Sequence, residues 1–427
     1  MTLTHAPPYG GPDTTIPAGV ARLQLGMLWL VGFSGAFVRF EPSPYEAIVP
    51  LAMLLFAVSG LKLRAGHVPL IMLMIATTVA YGISVVPVLD REDTLQWSAV
   101  SSFLAVSSIF FACMLAVDTE RRLRALLAGY IASAVVASII AIAAWARVIP
   151  NADFFLLNGR ALGTFKDANV FGPFLILPAM IVIDRLLSGQ YRSFLLNAGI
   201  VLLLSAALLL SFSRGAWGHF AVSVMLMFAF NFVTVPTHRE RVRLLIIGAI
   251  GVAAVTLFIV LLISISSVGA LFQERASLVQ SYDIAPQGRL SRYVPGFLLM
   301  LEHPLGIGPL QFTRYFPEDP HNSFLNAFVA GGWLGGIAHA ALVFMTLAFG
   351  LRHVFRRTPY QRVFIAIYAT FAAEVGESAI VDVQHWRHFY LLIGLLWGLM
   401  ALRPSAVAPP ARPHYSPPPH RSVAQPG

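Results

Sequence analysis

The stretch VRLLIIGAIGVAAVTLFIVLLISISSV, Val242 to Val268, has basic residues only at its start (Arg241 just before it, then Arg243) and no charge afterwards. A helix that is apolar on every face has no side to offer water, and this one exceeds the roughly 20 residues needed to cross the hydrocarbon of a bilayer. The rest of the chain has the same character. Of its 427 residues, 57% are hydrophobic and 11% charged, and mean hydropathy is +0.74. An average soluble domain is about 25% charged, so this composition excludes a string of water-soluble domains. The apolar runs are also too long for barrel strands. The chain reads as an all-α polytopic membrane protein.

Measured against the span length, twelve stretches qualify: residues 21–38, 45–60, 68–88, 97–117, 124–146, 169–187, 193–212, 215–235, 243–268, 322–349, 362–380 and 387–402. The domain reading is a tail over 1–20, a membrane domain over 21–402 and a second tail over 403–427. Residues 403–427 are rich in proline and read as disordered. The first tail holds Pro7, Pro8, Pro12 and Pro17 and no basic cluster, so the first apolar segment reads as a retained span rather than a cleaved leader. Two connections stand out in length. One covers 147–168, and the other, 269–321, separates the ninth and tenth spans. Loops this long usually carry function or structure of their own. Gly288 to Leu301 reads as an amphipathic helix ended by His303-Pro304.

Formal charge is +9 and the isoelectric point about 10.0. No basic stripe with interleaved aromatics accompanies that charge, so a nucleic-acid partner is not expected. The single cysteine, Cys113, excludes an internal disulfide. With both tails on the cytoplasmic side, eighteen of the 29 lysines and arginines fall inside, among them Arg122, Arg241, Arg243 and Arg362. Every short inner loop is then basic, as the positive-inside rule requires. The other eleven fall outside: Arg39, Arg91, Arg147, Arg160, Lys166, Arg214, Arg275, Arg289, Arg292, Arg314 and Arg387. An outer arginine gains nothing topologically, which suggests an anionic ligand.

Pro317 to Leu325 (PEDPHNSFL) opens the tenth span. Proline suits a first helical turn, so Pro320 predicts His321 at a helix N-terminus. There the helix dipole favours a neutral imidazole able to accept a proton, while Glu318 and Asp319 oppose it. The plain alternative is a solvated interfacial histidine. Ser211 to Trp217 joins two spans with almost no loop, and Gly215 is expected to make the reversal that leaves Arg214 facing out. Arg160 and Lys166 precede the sixth span, which Asp167 or Asn169 is placed to cap. Arg289 and Arg292, three apart, share a helix face. Singly, Arg214 reads equally well as a helix-end anchor beside Trp217, and Arg160, Arg289 and Arg292 as solvated surface charges. Together they suit a diphosphate diester, which planar guanidinium groups bind bidentately.

Glu374 and Glu377 lie three apart within the eleventh span, followed by Asp382, His385 and His388. Carboxylates in a membrane helix mark a proton path, or pair with Arg387 or with a neighbouring helix. His385 and His388 have a helical metal spacing but no third ligand beside them. The chain has no Walker loop and no Gly-x-Ser-x-Gly elbow.

These motifs resemble the O-antigen ligase and polysaccharide polymerase superfamily of bacterial inner membranes. The most specific element is His321-Asn322 followed by Leu325 and Gly332. Ser213-Arg214-Gly215, Gly159-Arg160 with Asn169, and Arg289 before Pro304 to Gly308 are similar to further family motifs. The resemblance covers most of the membrane region, from Glu41 to the last span.

The resemblance implies a twelve-span fold like that of C-type glycosyltransferases, with a large periplasmic loop between spans nine and ten. It implies an enzyme that moves a glycan from undecaprenyl diphosphate to a sugar hydroxyl. The acceptor is lipid A core in ligases and another lipid-linked repeat in polymerases. No metal, nucleotide or other cofactor is implied, because the lipid diphosphate is already an activated leaving group. Carried over, His321 is the general base, and Arg214 and Arg289 hold the diphosphate. Arg160 is a further clamp, with Lys166 and Arg292 beside it, and Asn322 orients the histidine or a sugar hydroxyl. From a different class, a transporter or flippase of lipid-linked or anionic solutes predicts internal repeats and charges near the bilayer midplane.

Overall fold

A computed structural model describes residues 16–188, 193–276 and 290–402. Both expected tails lie mostly outside them, as does Arg289. The fold is helical almost throughout. Among the described residues seven helices are long and apolar enough to cross a membrane. They include α3 (Val68–Val85) with the 3-10 turns that flank it, α4 (Glu92–Met114), α5 (Thr119–Trp145), α9 (Arg214–Thr234) and α10 (His238–Ile263). The pair α6 (Ala168–Phe174) and α7 (Ile176–Leu187) forms another, and α13 (Ser323–Val354) is the longest. Shorter apolar helices are α1 (Ala18–Ser34), α2 (Pro44–Val58), α8 (Phe194–Leu210), α12 (Tyr293–Glu302) and α15 (Arg387–Met400). The set is completed by α11 (Ser266–Ala276) and α14 (Gln361–Ser378).

Each stretch expected to span is helical. The helices expected from 97, 124 and 243 begin five residues earlier, at Glu92, Thr119 and His238. Their first turns are polar and carry Glu92, Asp93, Glu120 and Glu240. Acidic side chains there are favoured by the helix dipole, so the helices outrun their apolar stretches.

The opening stretch, as α10, lies at the periphery, and none of its apolar 18-residue window is buried. By contrast α14 and α15 form the interior, with Phe364, Ile365, Ile367, Phe371, Ile393 and Leu396 fully or almost fully buried. Elsewhere helices approach closely through small residues: Gly32 of α1 and Gly129 of α5 each abut the other helix's backbone, leaving no room for a side chain.

The long loop has structure of its own, as expected. A 3-10 turn (Leu290–Arg292) runs into α12, with His303 as its C-cap. Beyond it, Pro304 to Gly308 inserts into a break in α13. There Gly332 takes a left-handed φ of 66°, and a Cβ would sit 2.5 Å from the Pro304 carbonyl oxygen. The inserted strand completes the broken helix: Trp333 N–H donates to Pro304 O (2.9 Å), Ile307 N–H to Val329 O (2.9 Å) and Gly308 N–H to Ala330 O (3.2 Å). The only β-sheet among the described residues pairs β1 (Leu156–Leu157) with β2 (Arg160–Ala161), an antiparallel ribbon ahead of α6.

Candidate active site

The first turn of α13 does not begin at Pro320. Asn322 is the N-cap, its Oδ1 accepting from Leu325 N–H at 2.9 Å, and the helix starts at Ser323. An asparagine side chain satisfies a free N–H there, which proline cannot do. His321 therefore sits one residue outside the helix, half-buried, with its Nε2 3.7 Å from Glu318 Oε2. The same carboxylate oxygen accepts from Arg292 Nη1 at 2.9 Å, and the Arg292 side chain is only 8% exposed. Arginine, glutamate and histidine thus form one line. Glu318, treated in the sequence as an opposing influence, is its centre.

The connection between α14 and α15 holds this segment from behind. Ala379 O accepts from Tyr293 Oη (3.0 Å) and Asn322 Nδ2 (3.0 Å), and Tyr293 Oη also reaches His321 O at 3.2 Å. Ser323 Oγ donates to Asp382 Oδ1 (3.0 Å) and Asn326 Nδ2 to Asp382 Oδ2 (2.7 Å). Gln384 Nε2 donates to Ser323 O (3.1 Å). Burial pushes the Asp382 carboxyl up to about 6, against these hydrogen bonds, which favour the charged form. Sequence reading missed Tyr293, Ser323, Asn326 and Gln384. The available signal was polar side chains three apart, Ser323 and Asn326, at the head of an apolar helix.

A second group forms at the start of α9. Ser213 caps it, accepting from Ala216 N–H, and half-buried Arg214 is its first residue. The reversal is made by Phe212 with φ 46°, not by Gly215, which is helical. Gly215 is needed for space: a Cβ there would lie 2.5 Å from Glu377 Oε1, on the last turn of α14. Arg160, on β2, donates from Nε to Ser211 O (2.9 Å) and from Nη2 to Asn169 Oδ1 (2.7 Å). Ser213 Oγ shares that Asn169 oxygen at 3.0 Å, and Asp167 caps α6. Arg160 and Arg214 are thereby joined to the end of α14 that also anchors Asn322 and Tyr293. Lys166 pairs instead with Glu41 at 2.9 Å, both about half exposed.

The carboxylates of α14 pair with neighbouring helices rather than with Arg387. Glu377 meets His219 of α9 (2.8 Å) and Glu374 meets His388 of α15 (3.3 Å), while Arg387 pairs with Glu46. His385 bonds Ser101 Oγ at 2.8 Å and stacks on Trp97, so it and His388 serve different partners.

Residues 199–340 match the family model described as O-antigen ligase, which supports that family for this chain. The matched segment contains Arg214, Arg292, His321 and Asn322. The family implies a membrane enzyme of glycosyl transfer, a glycan ligase or polymerase acting on lipid-linked glycan and polysaccharide. No curated protein matches the chain.

Proposed function

We propose that the chain, within the O-antigen ligase family, transfers a glycan from undecaprenyl diphosphate to a sugar hydroxyl of lipid A core at the outer face of the bacterial inner membrane. In this reading twelve spans leave both tails cytoplasmic, and the basic inner loops set the orientation. The acceptor oxygen attacks the anomeric carbon as the bond from that carbon to the diphosphate oxygen breaks, inverting the configuration. His321 takes the hydroxyl proton. Glu318, steadied by Arg292, faces the positive charge the ring then carries. Arg214, Arg289 and Arg160 hold the diphosphate and stabilise the charge it gains on leaving. Asn322 fixes the segment, and Lys166 stands at the margin with Glu41. The leaving group is already activated, so the reading expects transfer without added metal.

The observation that carries this reading is the line of Arg292, Glu318 and His321 at the head of α13, tied through Ala379 to the end of α14 that Gly215, the residue after Arg214, abuts. The test is purified protein with undecaprenyl-diphosphate glycan and lipid A core. His321→Ala should slow transfer by about 100-fold or more. Retained transfer would remove the base assignment, and extension of the lipid-linked glycan in place of transfer to lipid A core would make the enzyme a polymerase.

A further inference from the structure

The buried glutamates of α14 have no part in the reaction above, yet one of them lies between its two halves. His219 Nε2 is 3.0 Å from Thr370 O. A carbonyl only accepts, so Nε2 carries a hydrogen, and one proton is left between Nδ1 and Glu377 Oε2, 2.8 Å apart. Wherever that proton sits, the pair is neutral overall, which makes its burial affordable; the His219 and Glu377 side chains are 0% and 2% exposed. The other oxygen, Oε1, faces the backbone of Gly215, the residue after Arg214. Two residues beyond Glu377, Ala379 O receives Asn322 and Tyr293.

We propose that Glu377 and His219 are positioning residues that fix the first turn of α9, and so Arg214, at a set distance from the His321 segment. The proposal rests on the roles given to Arg214 and His321 above. A guanidinium that serves the departing diphosphate must be placed relative to the base within a fraction of an ångström, and a misplacement near 1 Å costs about 100-fold. Neither residue touches substrate. The neighbouring Glu374 pairs instead with His388 of α15.

The test is a double-mutant cycle on transfer of glycan from undecaprenyl diphosphate to lipid A core. Glu377→Ala should lower kcat by about 10- to 100-fold with the donor KM within about 3-fold. Glu377→Gln, which can still donate to Nδ1 and keep an oxygen against Gly215, should restore kcat to within about 3-fold. In an Arg214→Ala background Glu377→Ala should cost almost nothing further, because its effect runs through that arginine. An equal loss in both backgrounds would show a merely structural role and overturn the proposal, as would failure of the glutamine variant. If Glu377→Ala does not fold, Gly215→Ala probes the same contact from the other side. A folded Gly215→Ala protein with wild-type kcat overturns the proposal equally. Arg214→Ala and His321→Ala run alongside: activity retained in these two sinks the functional reading itself, whereas activity lost in them but kept in Glu377→Ala sinks only the inference.

Discussion

Two sets of arginines, one at each end of the helical bundle, meet different partners. At the end where α4, α7 and α9 finish, arginines donate to carbonyls at or just beyond helix C-termini: Arg122 to Met114 O (2.9 Å), Arg64 to Ala116 O (2.6 Å), Arg243 to Leu187 O (2.8 Å) and Arg241 to Val235 O (3.3 Å). Cations there satisfy free carbonyls and meet the negative end of the helix dipole. At the other end, Arg214 and Arg387 are the first residues of α9 and α15, and Arg292 is the N-cap of α12. Those positions meet the positive end of the dipole, so the fold alone does not favour a cation. Arg387 and Arg292 answer with carboxylates, Glu46 and Glu318. What differs is the partner each of these guanidinium groups meets: carbonyl oxygens for Arg122, Arg64, Arg243 and Arg241, carboxylates for Arg387 and Arg292.

That contrast can be broken experimentally. The largest effect is expected from Arg214→Ala, which should slow glycan transfer by about 100-fold or more while the midpoint of thermal unfolding in detergent moves little. A large loss of stability with normal turnover per folded molecule would reverse the assignment. Next comes Arg122→Ala at the far end. The guanidinium is buried, also bonds Gln24 Oε1 at 2.8 Å and lies over the Phe56 ring. Its removal should cost about 2 kcal/mol of stability and leave transfer by the folded protein unchanged. A folded but inactive Arg122→Ala protein would erase the distinction between the ends.

The smallest effect concerns Asp382. Its carboxyl is raised from the ordinary value near 3.8 to about 6, so the folded protein holds that proton more tightly than the unfolded chain. The stabilisation this provides is complete below about 3.8 and is lost as pH rises through 6. The thermal stability of wild type should therefore fall between pH 4 and 6.5 relative to Asp382→Asn, which has no such proton. Parallel pH profiles for the two proteins would contradict the buried environment of this carboxyl.

Much of the scaffold was legible because membrane helices announce themselves by apolar length: residues 215–235 became Arg214–Thr234, and 193–212 became Phe194–Leu210. Of the candidate site, His321, Asn322, Arg214 and Arg292 were visible as basic or polar residues at helix starts, and Arg160 as a basic residue ahead of the sixth span, on the side that charge counting leaves poor in cations. Their partners were not. Glu377 finds His219 across 158 positions of sequence, and no local pattern encodes such a pairing. Gly215 looked like a turn residue because glycine beside arginine between two spans usually is one; only the packing of α14 shows that its missing side chain matters. Pro320 suggests a helix that takes in His321, whereas the side chain that caps it belongs to Asn322, one residue further on.

The break at Gly332 has a consequence for how a lipid substrate gets in. Three hydrogen bonds stitch Pro304 to Gly308 into the gap of α13, and swinging that strand outward would strand their donors and acceptors where little water can replace them. The strand is therefore a rivet, not a door. In the reading proposed above, the lipid tail of the donor therefore enters by another flank of the bundle.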